Sequence, residues 1–379
     1  NILFLSHSGK RSGGAQNVLF SLLESLPKDK YTCHCLFPEP GEFLDTLKTM
    51  GIPTYVVKFK WWAGFEMDTV YKIIDCLLNF RISVDPIVEI IKHNKIDLVV
   101  SNTVTMAEGA LAARVAGIPH IWYVHEILSR DPKLKHMMRL EFLYPIMLIL
   151  SKALIVVSNE VKLEIENHLG YSSSKIHVVY NGVKLGTQNF VRNHNNVVIS
   201  AGGICRRKGQ MTLLKAARLV CDEIPDTLFC IAGKFWEKQY RTDLVEERFK
   251  LGMEKKFHFM KWVSDMDAFY RGGTIFATAS TCEAFGLVLL EAMNNGLPVV
   301  STDSGGPSEI VVDGSTGYLV PVDDVEGLAM KIIHLLKRPD VGDKMGINGY
   351  HRVKELFSHK TFIGRMEEIL TMEGNCGIS

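Results

Sequence analysis

Two hydrophobic periods alternate along this chain. Short β-branched and aliphatic runs at residues 2–5, 32–37, 54–57, 98–101, 120–124, 153–157 and 176–179 read as strands. Amphipathic stretches with helical spacing lie between them, such as 15–26 and 106–116. The second of these ends in "AGIP", a helix stop followed by Pro. That alternation predicts a parallel sheet covered by helices on both faces. Residues 186–196, "GTQNFVRNHNN", break it with a polar stretch that has no apolar period. It resumes with "VVISAGG" from residue 197, and further strands are expected at 227–232, 256–259, 274–278 and 297–301. A last helical stretch, 358–372, follows once the second sheet is complete. The pattern predicts an α/β protein of two Rossmann-like halves facing a central cleft, joined near residue 190. The boundaries read as 1–186, a linker at 187–196, a second domain at 197–352 and a terminal helical segment at 353–379.

The most apolar stretch is "FLYPIMLILSKALIVVS", residues 142–158. Pro145 and Lys152 interrupt it, so it falls short of the roughly 20 apolar residues that a span needs. It reads as a buried helix followed by a buried strand, with interfacial membrane contact as the other reading. No signal peptide is visible, and the chain opens on "NILFLSHSG" without an initiator Met, so residues are expected ahead of it.

Composition narrows the picture little. The 379 residues suffice for two cores. The formal charge is +1, from 43 basic and 42 acidic residues, which gives no global pull toward nucleic acid or membrane. The eight cysteines show no CxxC pair and no zinc spacing. Most sit in apolar runs and read as small core residues in a reducing compartment, so a cytoplasmic location is expected.

The candidate chemistry gathers at predicted strand ends, where open α/β sheets bind ligands. "HSGKRSGGAQ" follows the first strand. Its Gly13 and Gly14 let amides approach a ligand at a helix start, although a plain tight turn is the other reading. "AGGICRRKGQ" places Arg206, Arg207 and Lys208 on a glycine loop before a helix, a set suited to a diphosphate. "EAFGLVLLE" separates Glu283 and Glu291 by eight positions, about 12 Å along a helix. Such acids are too far apart to act on one bond. They suit two parts of one long ligand, with the free amides of Phe285, Gly286 and Leu287 between them. His125 stands at the end of a strand in "YVHEI".

The run from 277 to 321, with E-x7-E, an internal Phe-Gly and "GLPVVSTDSGGPSEIV", resembles the retaining nucleotide-sugar glycosyltransferases of family 4, which have the two-domain GT-B fold. "SGGAQ", "VHE" at 124–126 and "VVYNGV" at 178–183 extend the likeness over nearly the whole chain. The resemblance implies that Glu283 touches the transferred sugar, Glu291 holds the ribose, and Lys208 holds the diphosphate. It implies that Gly13 and Gly14 close over the donor phosphates, that His125 lies near the donor sugar, and that the final helix returns to the first domain. The backbone near Gly233–Phe235, Lys234 included, and near Trp262 and Val263 is expected to grip the base.

One position departs from the family pattern. An Arg usually stands five residues before that Lys, and here the position is Gly203. Arg206 and Arg207 are the candidates to replace it.

The reading is retaining, metal-independent hexosyl transfer from a nucleoside-diphosphate sugar to a hydroxyl of a glycan or lipid-linked acceptor, in cell-surface polysaccharide or glycolipid synthesis. No cofactor, metal or nucleic-acid partner is expected. "KFKWWAGF" offers Trp61 and Trp62, which with residues 127–139 are expected to form an acceptor or membrane-facing surface, at the inner face of the membrane. A sugar phosphorylase, an epimerase and a non-catalytic nucleotide-sugar binder are the alternatives.

Overall fold

A computed structural model describes residues 1–10, 13–59, 61–64, 70–130, 135–136, 138–186, 194–260, 263 and 265–374. It divides into two compact units. Unit 1 comprises Asn1–Tyr180 and Phe362–Ser379, and unit 2 comprises Asn181–Thr361.

Unit 1 is built on seven parallel strands: β1 (Ile2–Ser6), β2 (Cys33–Phe37), β3 (Thr54–Val56), β4 (Leu98–Asn102), β5 (His120–Val124), β6 (Ala153–Val156) and β7 (Ile176–Val178). They lie in the order β3-β2-β1-β4-β5-β6-β7. β1, β4, β5 and β6 are buried along their full length, which is why they read as unbroken apolar runs rather than alternating ones. The helix Glu108–Ala116 is rich in small residues and sits close to the sheet. A Cβ on its Gly109 would come within 2.5 Å of the Ser101 hydroxyl. Gly117, at φ +74°, ends that helix in the left-handed region.

Unit 2 repeats the plan with β8 (Val197–Ala201), β9 (Leu228–Ala232), β10 (Phe257–Met260), β11 (Ile275–Thr278), β12 (Val299–Thr302) and β13 (Gly317–Val320). Their order is β10-β9-β8-β11-β12-β13, all parallel. In both units the chain starts mid-sheet, runs outward, then returns to the other side. Each sheet therefore has a switch point, between β1 and β4 in unit 1 and between β8 and β11 in unit 2. Loops leaving the carboxyl ends of those strands diverge there and leave room for a ligand.

The structure differs from the sequence reading at three places. β13 was not anticipated, because its four residues open on Gly317 inside a turn-rich stretch. The division between units falls after Tyr180, earlier than residue 186. Residues 181–186 pack with unit 2, where Val183 bridges Ser358 and Asn294 binds both Gly186 N and Lys184 O. The final helix, His359–Gly374, does rejoin unit 1 as expected, from Phe362, with Tyr31 hydrogen-bonded to Thr371 at 2.8 Å. Finally, the helix Leu140–Leu150, expected to be buried, leaves Phe142 and Ile149 61% and 68% exposed. Six cysteines among the described residues are unpaired, and all are buried or half-buried.

Candidate active site

Three loops meet backbone to backbone at the switch point of unit 2. The loop after β8 is pinned to the loop after β11, because Thr281 N donates to Arg207 O at 2.8 Å. Gly209, at φ +63°, stands where a Cβ would fall 1.8 Å from Ala279 O. The loop after β12 then clasps Glu283 from both sides: Glu283 N donates to Ser304 O at 3.0 Å and Gly306 N donates to Glu283 O at 2.8 Å. A Cβ on Gly306 would lie 2.4 Å from Phe285 Cα. The glycines of "RRKG" and "SGGP" thus serve close approach, and the result is a fixed position for Glu283.

The side chains gathered there carry opposite charges. Lys208 Nζ donates to Glu283 Oε2, and both groups are mostly shielded from solvent. Arg207 donates to the Cys282 carbonyl at 2.9 Å, one residue from Glu283. Burial opposes ionisation of Glu283, but Lys208 and Arg207 outweigh it and hold the carboxyl below its ordinary value. Gly286, at φ +117°, opens the helix Leu287–Asn294 with no capping side chain. The first amides of that helix have no intrahelical partner, so they favour an anion.

Glu291 stands one turn further along the same helix. It accepts from the Tyr270 hydroxyl at 2.6 Å. Burial raises its pKa, and Tyr270 partly offsets that. Phe285 is buried and packed edge-on against Phe357, so its ring is turned into the core.

Arg206 goes elsewhere. It pairs with Asp243, lies 3.9 Å from Glu237, and stacks over the Tyr240 ring. Of the two candidates for the missing guanidinium, only Arg207 points at the Glu283 loop. Gly203 also has a structural reason. The Trp236 indole lies 2.3 Å from where a Cβ at position 203 would stand, so the ring takes the place of any side chain there. Of the base-side residues, Lys234 accepts Ile204 N through its carbonyl at 2.8 Å, which joins the loops after β8 and β9. Val263 is half-buried, and Trp262 lies outside the described residues.

A second constellation occupies the switch point of unit 1. Asn102, the last residue of β4, donates from Nδ2 to Ala15 O at 3.1 Å, so its Oδ1 is left to accept. His125 Nε2 lies 2.9 Å from that oxygen and must carry the ring proton. His7 Nε2 accepts from Gln16 at 2.9 Å. Gly13 and Gly14 open the helix Gly14–Ser25, again without a capping side chain. Burial lowers His125 to about 3 and His7 to about 4, so both rings are neutral at physiological pH. Sequence reasoning missed Asn102, His7 and Gln16. The signal for Asn102 was a polar residue closing the apolar run "LVVSN", whereas Tyr270 gave no signal at all.

A cavity of about 730 Å³ opens in unit 1, lined by His7, Lys10, Glu39, Lys58, Trp61 and Glu108 among others. Trp61 meets His7 edge-on at 5.6 Å. Trp62 corrects the expectation of a sugar- or lipid-facing indole. It is 3% exposed, stacked on Trp122 at 5.8 Å, and donates to Val104 O at 2.6 Å, so neither of its faces is open to a ligand. Segments 58–65 and 127–139 do come together, since Ala63–Gly64 pairs antiparallel with Lys135–His136. Among the described residues, no cluster of three His, Cys, Asp or Glu side chains is placed to hold a metal ion.

Two Rossmann-like units, one with a cation–carboxylate pair beside a bare helix start, define a protein of the GT-B fold class. Residues 187–352 match the sequence family "Glycosyl transferases group 1", and residues 12–186 match "Glycosyltransferase Family 4". The chain belongs to the group 1 glycosyltransferase family.

Relatives include the lipopolysaccharide core biosynthesis glycosyltransferase LpsE of Rhizobium meliloti, 28% identical over 46% of this chain and 49% of the relative. Another is the UDP-Gal:alpha-D-GlcNAc-diphosphoundecaprenol alpha-1,3-galactosyltransferase of Escherichia coli, 22% identical over 85% of this chain and 84% of the relative. The chain spans about half the length of the first curated relatives it matches. Among solved structures, Anabaena Alr3699/HepE in complex with UDP-glucose superposes with a TM-score of 0.80 at 22% identity, over 98% of this chain and 99% of that one. The likeness to HepE shows the shared fold.

Proposed function

We propose that the protein is a retaining glycosyltransferase that moves a hexosyl group from a nucleoside-diphosphate sugar to a hydroxyl of a glycan or lipid-linked acceptor. The observation that carries this reading is the Lys208–Glu283 pair, held with Arg207 beside the uncapped start of the helix Leu287–Asn294. In the reaction the bond from the anomeric carbon to the phosphate oxygen breaks. The acceptor oxygen bonds to that carbon on the same face, and its proton passes to the departing phosphate. The negative charge that grows on the diphosphate is the main demand, and Lys208, Arg207 and the helix amides answer it without a metal. Glu283 orients hydroxyls of the sugar. Glu291, braced by Tyr270, accepts from the ribose.

Unit 1 supplies the acceptor side. Its 730 Å³ cavity combines Trp61, which presents an aromatic surface to a sugar ring, with lysines and carboxylates that suit hydroxyls. His125, neutral and fixed by Asn102, acts as a hydrogen-bonding group rather than an acid. The likeness to enzymes of lipopolysaccharide and undecaprenol-linked glycan synthesis supports a cell-surface product.

The test begins with a thermal-shift screen of the full chain against UDP, GDP, ADP and their sugars. Turnover of the stabilising donor is then followed by NMR at the anomeric proton. Transfer with retention, reduced about 100-fold or more in Lys208→Ala without an equal loss of stability, supports the reading. Turnover that needs free phosphate points to a phosphorylase. Donor conversion without acceptor points to an epimerase. Binding without turnover points to a binder.

A further inference from the structure

Gly203 and Trp236 form a matched pair. Gly203 does not share the left-handed backbone of its neighbour Gly202, which has φ +125°. A side chain at 203 is therefore excluded by space rather than by conformation. Its Cβ would fall 2.3, 2.3 and 2.6 Å from Cε2, Cζ2 and Cη2 of Trp236. Such similar distances to three successive ring atoms put that point over the face of the indole, not at its edge. One face of Trp236 thus covers Gly203. The residue is still 53% exposed, so the opposite face is open.

Both backbones are fixed. Ile204 N donates to Lys234 O at 2.8 Å, and Trp236 N donates to Ile204 O at 3.0 Å. Arg206 N donates to Glu237 Oε1 at 3.2 Å, and Gln210 Nε2 donates to the Gly203 carbonyl at 3.0 Å. The loops after β8 and β9 therefore present the indole as a rigid platform. It stands at the carboxyl ends of the strands, against the loop that five residues later carries Lys208, the partner of Glu283.

We propose that the open face of Trp236 stacks on the nucleobase of the donor. This rests on the donor site proposed above, in which the sugar lies at Glu283, the diphosphate at Lys208 and the ribose at Glu291. The base is the part of the ligand left for the platform. An aromatic face is electron-rich, so it does not attract a diphosphate. A planar heterocycle stacks on it, whatever hydrogen-bonding edge that heterocycle carries. The ring also fills the space of the side chain that the family pattern places at position 203. Affinity for the donor thus shifts from charge on the diphosphate toward contact with the base.

The test is calorimetry on the full chain and on Trp236→Ala and Trp236→Phe, with UDP, GDP, ADP and inorganic pyrophosphate as probes. For the nucleoside diphosphate that the wild-type chain binds best, Trp236→Ala is expected to lose about 5–150-fold in affinity, the worth of one base–aromatic stack. Trp236→Phe keeps an aromatic face and is expected to lose much less. Pyrophosphate has no base and is expected to bind all three proteins alike. Melting temperatures without ligand check that both variants fold. Equal nucleotide affinity in the wild type and Trp236→Ala, with binding lost in Lys208→Ala, overturns the stack and leaves the donor site standing. A parallel loss of pyrophosphate binding in Trp236→Ala overturns it too, since the ring would then only brace the loop of Lys208. A wild-type chain that binds no nucleoside diphosphate overturns both the stack and the donor site.

Discussion

At the residue scale, Glu283 does two things at once. It orients a sugar in the proposed reaction, and it also pairs with Lys208. A diphosphate must compete with it for the ammonium group. Glu283→Gln is therefore expected to tighten binding of the bare nucleoside diphosphate by about 10–150-fold, the worth of one charge-assisted hydrogen bond, while slowing transfer by about 100-fold. Calorimetry and turnover assays check the two arms separately. Weakening of both together would mean that the carboxylate organises the loop rather than guarding the cation. Gly203 poses a second residue-scale question, since restoring the Arg of the family pattern looks like an improvement. The Trp236 indole stands in the way. Gly203→Arg is expected to cost about 1–3 kcal/mol through forced displacement of that ring, and Gly203→Arg/Trp236→Ala to recover most of it. Urea melts of the two variants decide the matter, and equal losses in both would exclude the ring as the cause.

At the element scale, the site exists because three loops share backbone hydrogen bonds at one switch point. Gly306 shows this most directly. Its backbone is right-handed helical, so Ala suits its φ and ψ, yet a Cβ there meets Phe285 Cα and Ala284 O. Gly306→Ala is expected to cost about 1–3 kcal/mol and to weaken nucleotide binding, because relief of the clash moves Glu283. Gly314→Ala is the control. At φ +73° with nothing within 4 Å, it is expected to cost only about 1 kcal/mol of backbone strain and to leave binding alone. Calorimetric melts with and without nucleotide measure both effects, and similar losses of affinity in the two variants would defeat the argument. The same loops show what a sequence can display. Strand periods and glycine-before-helix signals are local, so both sheets and the loops carrying Lys208 and Glu283 could be read from the chain. Which cation turns toward Glu283 depends on the acids of a distant helix, Asp243 among them, and that is not local information. Trp62 misled for the same reason. An aromatic-basic surface pattern does not reveal Trp122, some 60 positions away, that covers it.

At the scale of the whole molecule, the two units carry different electrostatic loads. In unit 1, loss of solvent around the ring lowers His7 to about 4 and His120 and His125 to about 3, and it lowers His34 as well. Beside them burial raises Glu126 to about 7, against backbone hydrogen bonds from His125 and Val104. Each histidine has a folded value below its ordinary 6.5, so its contribution to stability is present above that pH and is lost as the pH falls toward 3–4. Glu126 acts in the opposite sense. Its folded value lies above the ordinary 4.5, so folding is favoured while it stays protonated, and that contribution is lost as the pH rises from 4.5 to 7. Near pH 5, His7, His120 and His125 thus take up almost three protons on unfolding and Glu126 releases less than one. The net uptake of about two corresponds to a stability loss of about 2–3 kcal/mol per pH unit on the acid side. Tryptophan emission weighs toward this unit, which holds Trp61, Trp62 and Trp122 of the five tryptophans, with Trp62 and Trp122 buried in its core. A nucleoside diphosphate should raise the transition of unit 2, where Lys208 and Glu283 lie, and leave the pH dependence of unit 1 in place. Urea melts between pH 5 and 6.5 are expected to show the tryptophan transition moving to lower denaturant with acid, and moving further in Glu126→Gln, which removes the opposing proton. A tryptophan transition that held its midpoint across that range would mean that the three rings are hydrated in the folded chain, and the polar constellation around His125 and Asn102 would then lose its fixed geometry.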